Sequence, residues 1–196
     1  MPDYEHDREA AWQLLSEYVK SETLLRHAIT VEAVMRQFAS LYNEDTEKWG
    51  IIGLLHDIDF EMYPEQHCHK TREILEPRHL PEEYIRAIES HGYKLVNEVE
   101  PIENVEKVLY TIDELTGLIS ATALLRPSKS LFDLTVKSVK KKWKQKSFAE
   151  GVSREVIEDG AERLKMDLDY VIEQTIKGMQ NVAAEIGLEG NLEAGK

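Results

Sequence analysis

His56 and Asp57 stand side by side at the end of Trp49-Gly50-Ile51-Ile52-Gly53-Leu54-Leu55, a stretch that is apolar on every side from Ile51 to Leu55. An imidazole and a carboxylate in such surroundings are desolvated, and they persist only when paired, hydrogen-bonded or bound to metal. Other groups of the same kind recur at inward positions. His27 lies on the stripe Leu24, His27, Val31, Val34 and Phe38, and His91 continues Tyr84 and Ile88 at spacings of four and three. Asp113 interrupts Val105, Val108, Leu109, Ile112, Leu115 and Ile119, on the face of Leu109 and Thr116. Each has a structural reading when taken singly: a satisfied core histidine, a histidine favoured by a helix C-terminus, a carboxylate bonded to a neighbouring helix. Taken together they fall on successive predicted helices, and facing helices that project imidazole nitrogen and carboxylate oxygen inward are how bundles build metal sites. Nitrogen and oxygen donors suit one or two divalent ions from among Mn, Fe, Co, Ni, Zn and Mg.

His67-Cys68-His69 adds a further candidate. On a helix, His67 and His69 point roughly 200° apart, so only one reaches a shared site. Cys68, a lone thiol without a partner motif, reads as inert.

The elements that must position these groups are helical. No alternating run bounded by a hairpin dipeptide is present, whereas three-and-four spacing is widespread. Helices are predicted over about 4–20, 23–42, 46–57, 67–75, 81–91, 103–125, 131–144 and 153–165. A last one carries the stripe Leu168, Val171, Ile172, Thr175, Ile176, Met179, Val182, Ala183 and Ile186, capped by Asp167 and ended by Gly187. Pro81, followed by Glu82 and Glu83, makes a helix start. The expected architecture is an all-α bundle forming one domain over 1–187. Its motif-bearing core spans about 23–125 and a helical extension about 126–187, with a polar tail over 188–196 that should fray.

The 196 residues carry a formal net charge of −13, which disfavours a nucleic-acid duplex or an anionic membrane as partner. The stretch 126–146 is basic against that trend. Within it Arg126, Lys129, Lys137 and Lys141 are candidate phosphate contacts, with a solvated helix face as the alternative for each lysine. One cysteine, no signal peptide and no run of about 18 apolar residues point to a reducing cytoplasm. Phosphate-binding loop, Rossmann glycines, paired CxxC and HExxH are all missing.

The order His27, then His56-Asp57, then Asp113 resembles the HD-domain superfamily of metal-dependent phosphohydrolases over roughly 23–125. Gly53-Leu54-Leu55-His56-Asp57, His67 through Thr71-Arg72-Glu73-Ile74-Leu75, and the run from Leu109 to Ile119 are similar to that family's blocks. The resemblance implies a first metal on His27, His56, Asp57 and Asp113 and a second completed by His67 and His91, with Asp57 bridging. It favours His67 over His69, because His67 falls four residues before Thr71. It also implies catalysis at His56 and Asp57: hydrolysis of a phosphate ester or anhydride in a nucleotide or small phosphorylated metabolite by metal-activated water. A di-iron oxygenase and a non-catalytic nucleotide-binding module are the alternatives, and oligomerisation is left open. Many relatives read His-Asp-Ile-Gly-Lys where this chain reads His56-Asp57-Ile58-Asp59-Phe60. The usual lysine is therefore absent, and Asp59 reads as a loop residue slightly more readily than as a support for a ligand.

Overall fold

The computed structural model describes residues 7–195. Among them there is no β-strand, only an isolated bridge between Tyr93 and Asn97. In chain order the helices are α1 (Arg8–Tyr18), α2 (Glu22–Tyr42), α3 (Thr46–Leu55), α4 (Thr71–Leu75), α5 (Glu82–Ser90), α6 (Asn104–Leu124), α7 (Val136–Trp143), α8 (Arg154–Leu164) and α9 (Leu168–Gln180).

The centre is α3. Asp45 starts it by accepting from the amides of Glu47 and Lys48, and every residue from Trp49 to Leu55 is buried. A helix apolar all round has no solvent face and must be enclosed by others. It packs against α1, α2 and α5. The approach of α2 is close at Gly53, where a Cβ would lie 2.8 Å from Met35 Cγ and 3.0 Å from the Val31 carbonyl oxygen. Glycine thereby sets the distance between the helix bearing His27 and the helix ending in His56. On its other side α2 meets α6 and α9, and α8 lies along α6. A reciprocal cap starts α6, with the Glu103 and Glu106 side chains each accepting from the other's end of the turn. The buried carboxylate of Glu32 in α2 is neutralised by Arg8 and Arg36, so it is a structural ion pair that also holds α1.

Several expected boundaries shift for local reasons. The first helix begins at Arg8 because Asp7 accepts from the Ala10 amide; Tyr4, the expected start, lies outside the described residues. Pro81 precedes α5 as its cap rather than opening its first turn. The expected helix over 67–75 begins only at Thr71, since Cys68 takes a left-handed φ of 63° that breaks the helical path. The expected helix over 131–144 begins at Val136, because Arg126 donates to both the carbonyl and the carboxylate of Asp133 and holds that stretch as a turn. Beyond α9 the stripe continues through turns in which Ala183 and Ile186 remain buried. The polar end is docked where fraying was expected: Leu188 is buried, its carbonyl accepts from the Leu131 amide, and the Asn191 amide donates to Ser128.

Replacing Gly53 by Val forces α2 away from α3. The expected loss is about 1–3 kcal/mol in urea unfolding, together with weaker metal uptake because His56 is carried on the displaced helix; unchanged values for both would show that the close approach is not a constraint.

Candidate metal centre

His56 and His91 occupy equivalent places. Each is the residue just past its helix, α3 or α5, where the last carbonyls lack helical donors. His56 Nδ1 donates to the Gly53 carbonyl at 2.8 Å and His91 Nδ1 to the Ile88 carbonyl at 2.5 Å. A carbonyl only accepts, so Nδ1 carries the proton in both rings and Nε2 is turned inward. His67, in the turn before α4, gains the same orientation from Asp59, whose Oδ1 lies 2.8 Å from Nδ1. Asp59 is fully buried and its other oxygen accepts from the Thr71 hydroxyl at 3.1 Å.

The inward atoms converge on two adjoining points. At the first, His27 Nε2 is 3.1 Å from His56 Nε2 and 2.9 Å from Asp113 Oδ1. Asp57 Oδ2 lies 3.3 Å from His56 Nε2 and 3.6 Å from His27 Nε2. At the second, His67 Nε2 and His91 Nε2 are 3.2 Å apart, and Asp57 Oδ1 is 3.4 and 3.5 Å from them. Bonds of about 2.0–2.2 Å from a cation to nitrogen or oxygen place neighbouring donors about 2.8–3.6 Å apart in right-angled or tetrahedral geometry. The donor set therefore fits a divalent ion at the first point, and Asp57, through its two oxygens, reaches both.

Cys68 is buried beside this cluster. Its sulfur is 3.7 Å from His91 Nε2 and 3.9 Å from Nδ1. With His67 and His91 it forms a group whose ligand atoms lie close enough together to hold an ion, so the thiol is a further candidate donor at the second point, although the sequence read it as inert. His69 is partly turned to solvent, with Nε2 on the Val96 carbonyl at 2.9 Å. The structure thus brings His67 inward and leaves His69 out, through a turn and not through opposite faces of a helix.

The electrostatics follow from crowding. Burial disfavours the charged form of His56, but the carboxylates of Asp57 and Asp113 outweigh it and lift its pKa to about 10. Burial likewise opposes charge on His67, and the hydrogen bond to Asp59 raises it to about 9. His91 is raised well above the ordinary value, against burial, by the Cys68 sulfur and Asp57. Against their own burial, Asp57 and Asp113 are held well below the usual carboxylate range, chiefly by His56. Burial would push the Cys68 thiol up, but the positive charge on His91 brings it down to about 7.

Beside His27 the centre adjoins a recess of about 480 Å³ between α2 and α6, closed on one side by residues 186–188. Arg26, Gly117 and Ser120 line it. Gly117 is in the interior of α6, where glycine costs about 1 kcal/mol relative to alanine. A Cβ there would meet nothing nearer than Val152 Cγ2 at 3.6 Å, so packing does not require the glycine.

The four candidate phosphate contacts do not join the centre. Arg126 follows α6 thirteen residues after Asp113, about 20 Å along the helix axis, and is held by Asp133 at 2.7 Å. Lys129, Lys137 and Lys141 are exposed, and none lines the recess. The lysines of the basic segment lie on a solvated surface, and the cation that lines the recess is Arg26. Sequence reasoning passed over Arg26, Gly117 and Ser120, although Gly117 and Ser120 lie four and seven residues after Asp113 on one helix face. It also underrated Asp59, whose signal was its place between the His-Asp pair and Thr71.

Residues 24–118 match the HD domain family model, so this stretch of the chain is an HD domain. Proteins of this family are generally metal-dependent hydrolases, and HD domains bind divalent metals. No curated protein and no solved structure gives a significant match to the chain. Among the described residues no helix is long and apolar enough to cross a membrane.

Two outcomes are expected at the centre. His56 has a folded pKa above its ordinary 6.5, so in metal-free protein its stabilising contribution is full below about pH 6.5 and lost as pH rises through about 10. The carboxylates contribute above their ordinary 3.8 and lose that only as pH falls through their depressed values. Metal-free protein should therefore melt at falling temperature from pH 6.5 to 10, and metal uptake at pH 8 should release protons, read as a binding enthalpy that varies with the buffer. Buffer-independent enthalpy would contradict this. Separately, Asp59→Ala should weaken metal affinity about 10–100-fold at one position and spare the other, as measured by competition with a coloured chelator.

Proposed function

We propose that the protein hydrolyses a phosphate ester or anhydride of a nucleotide or other small phosphorylated metabolite at a centre of two divalent metals. One observation carries the reading. The Nε2 atoms of His27, His56, His67 and His91 meet in pairs 3.1 and 3.2 Å apart while Nδ1 of three of these rings is committed to other partners. Facing lone pairs at that distance need a proton or a metal ion between them, and the adjacent carboxylates favour the metal ion's charge. His27, His56, Asp57 and Asp113 would hold the first ion, and His67, His91 and the second oxygen of Asp57 the other.

Bound there, divalent metals acidify water and screen phosphoryl charge. The chain's own groups do the rest. Gly53, Ile88 and Asp59 fix the rings, Asp57 sets the spacing of the two positions, and burial keeps water from His56, His91 and Asp59 while His27 is the most exposed of the four rings. In the reaction the oxygen of water forms a bond to phosphorus as the bond from phosphorus to the leaving oxygen breaks. One proton of the water ends on the leaving oxygen and the other stays on the phosphate formed.

Elemental analysis of protein purified without chelators or a metal-binding tag tests the centre. Wild type should hold two ions, His91→Ala one, and Asp57→Ala none or nearly none. A phosphatase and phosphodiesterase screen with the metal found should then show turnover that falls at least 100-fold in Asp57→Ala. Lack of metal after reconstitution with manganese, iron, nickel and zinc would overturn the proposal; two irons with oxygen-dependent turnover would replace hydrolysis by oxidation.

A further inference from the structure

The recess beside His27 is built from two facing helix stripes that each include a candidate metal ligand. On α6, Asp113 is followed at helical spacing by Gly117, Ser120 and Leu124; on α2, Thr23, His27 and Thr30 share a face. His27 lines the recess and its Nε2 lies 2.9 Å from Asp113 Oδ1, which joins the recess to the centre. A group bonded to phosphorus at the centre would therefore extend between these stripes.

The walls decide what that group is. Leu24, Leu124, Ile186 and Leu188 make them largely apolar. Among the described residues lining the recess, Arg26 carries the one fixed positive charge, and its contact with Glu22 is long, at 3.7 Å. A polyphosphate brings several negative charges that one guanidinium does not balance, whereas a single phosphate is met by the centre and Arg26 together. The volume, about 480 Å³, lies within the range of pockets that enclose small organic ligands. Gly117 supplies a second, independent sign. It lines the recess and weakens α6 without a packing reason, since a Cβ there would meet only Val152 Cγ2, at 3.6 Å.

Resting on the hydrolase reading above, we infer that this recess seats the organic part of the substrate, an uncharged, ring-sized and largely apolar group bearing one phosphate. Residues 186–188 belong to this seat. The Leu188 carbonyl accepts from the Leu131 amide and holds the wall in place.

The test uses two uncleavable probes, phenylphosphonate and methylphosphonate, titrated calorimetrically into the full-length protein with and without added manganese. Wild type should bind phenylphosphonate at least tenfold more tightly in at least one of these states. Gly117→Leu and Ser120→Trp, which fill the recess, should abolish that preference while metal content stays at the wild-type value; two variants guard against one that misfolds. Equal binding of the probes, binding of neither, or a preference that survives in both variants would overturn the inference. Failure of the hydrolase reading is seen separately, as absence of metal in wild type or absence of turnover in the screen.

Discussion

Nitrogen and carboxylate lone pairs face one another at 2.9–3.6 Å in the middle of the bundle, and they stay there only if positive charge sits among them. Protons meet the need in part, which is why His56 and His67 are pushed toward the charged form despite burial. A divalent ion meets it better, because one cation touches several donors where a proton serves two. The rest of the centre answers to this constraint. Asp57 is placed to share its two oxygens, and three rings have Nδ1 tied down so that rotation cannot relieve the crowding.

The bundle's helices are arranged to bring such donors together. Because α3 is apolar on every side, its end is the one place where it can present polar groups, and His56 and Asp57 are there. The end of α5 repeats the device with His91. Using a carbonyl of the last turn as acceptor gives each imidazole an anchor at the point where regular helical bonding ends.

Much of this was legible in the residues. His27, His91 and Asp113 lie on apolar stripes, and periodicity alone turns them inward; the adjacent His56 and Asp57 stood out by the apolarity before them. His67 was favoured by resemblance, yet the helical geometry first applied to it was wrong, since a left-handed Cys68 cannot be read from spacing. Asp59 was undervalued because a loop carboxylate shows its purpose only once the turn brings it to His67 Nδ1. The basic segment misled for a related reason. Composition counts charges but not distances, and it does not reveal that Arg126 is spent on Asp133 while Arg26, next to His27 in the chain, lines the recess.

The buried Leu188 and its bond to Leu131 bring residues from beyond the matched stretch 24–118 to the edge of the recess. On the reading proposed above, part of the substrate seat thereby lies outside the stretch that carries the metal centre. Changes in the last dozen residues can reshape what is admitted without disturbing the balance of charge that the inner cluster demands. On the same reading, editing that short C-terminal segment would be a route to new substrates that leaves the metal ligands untouched.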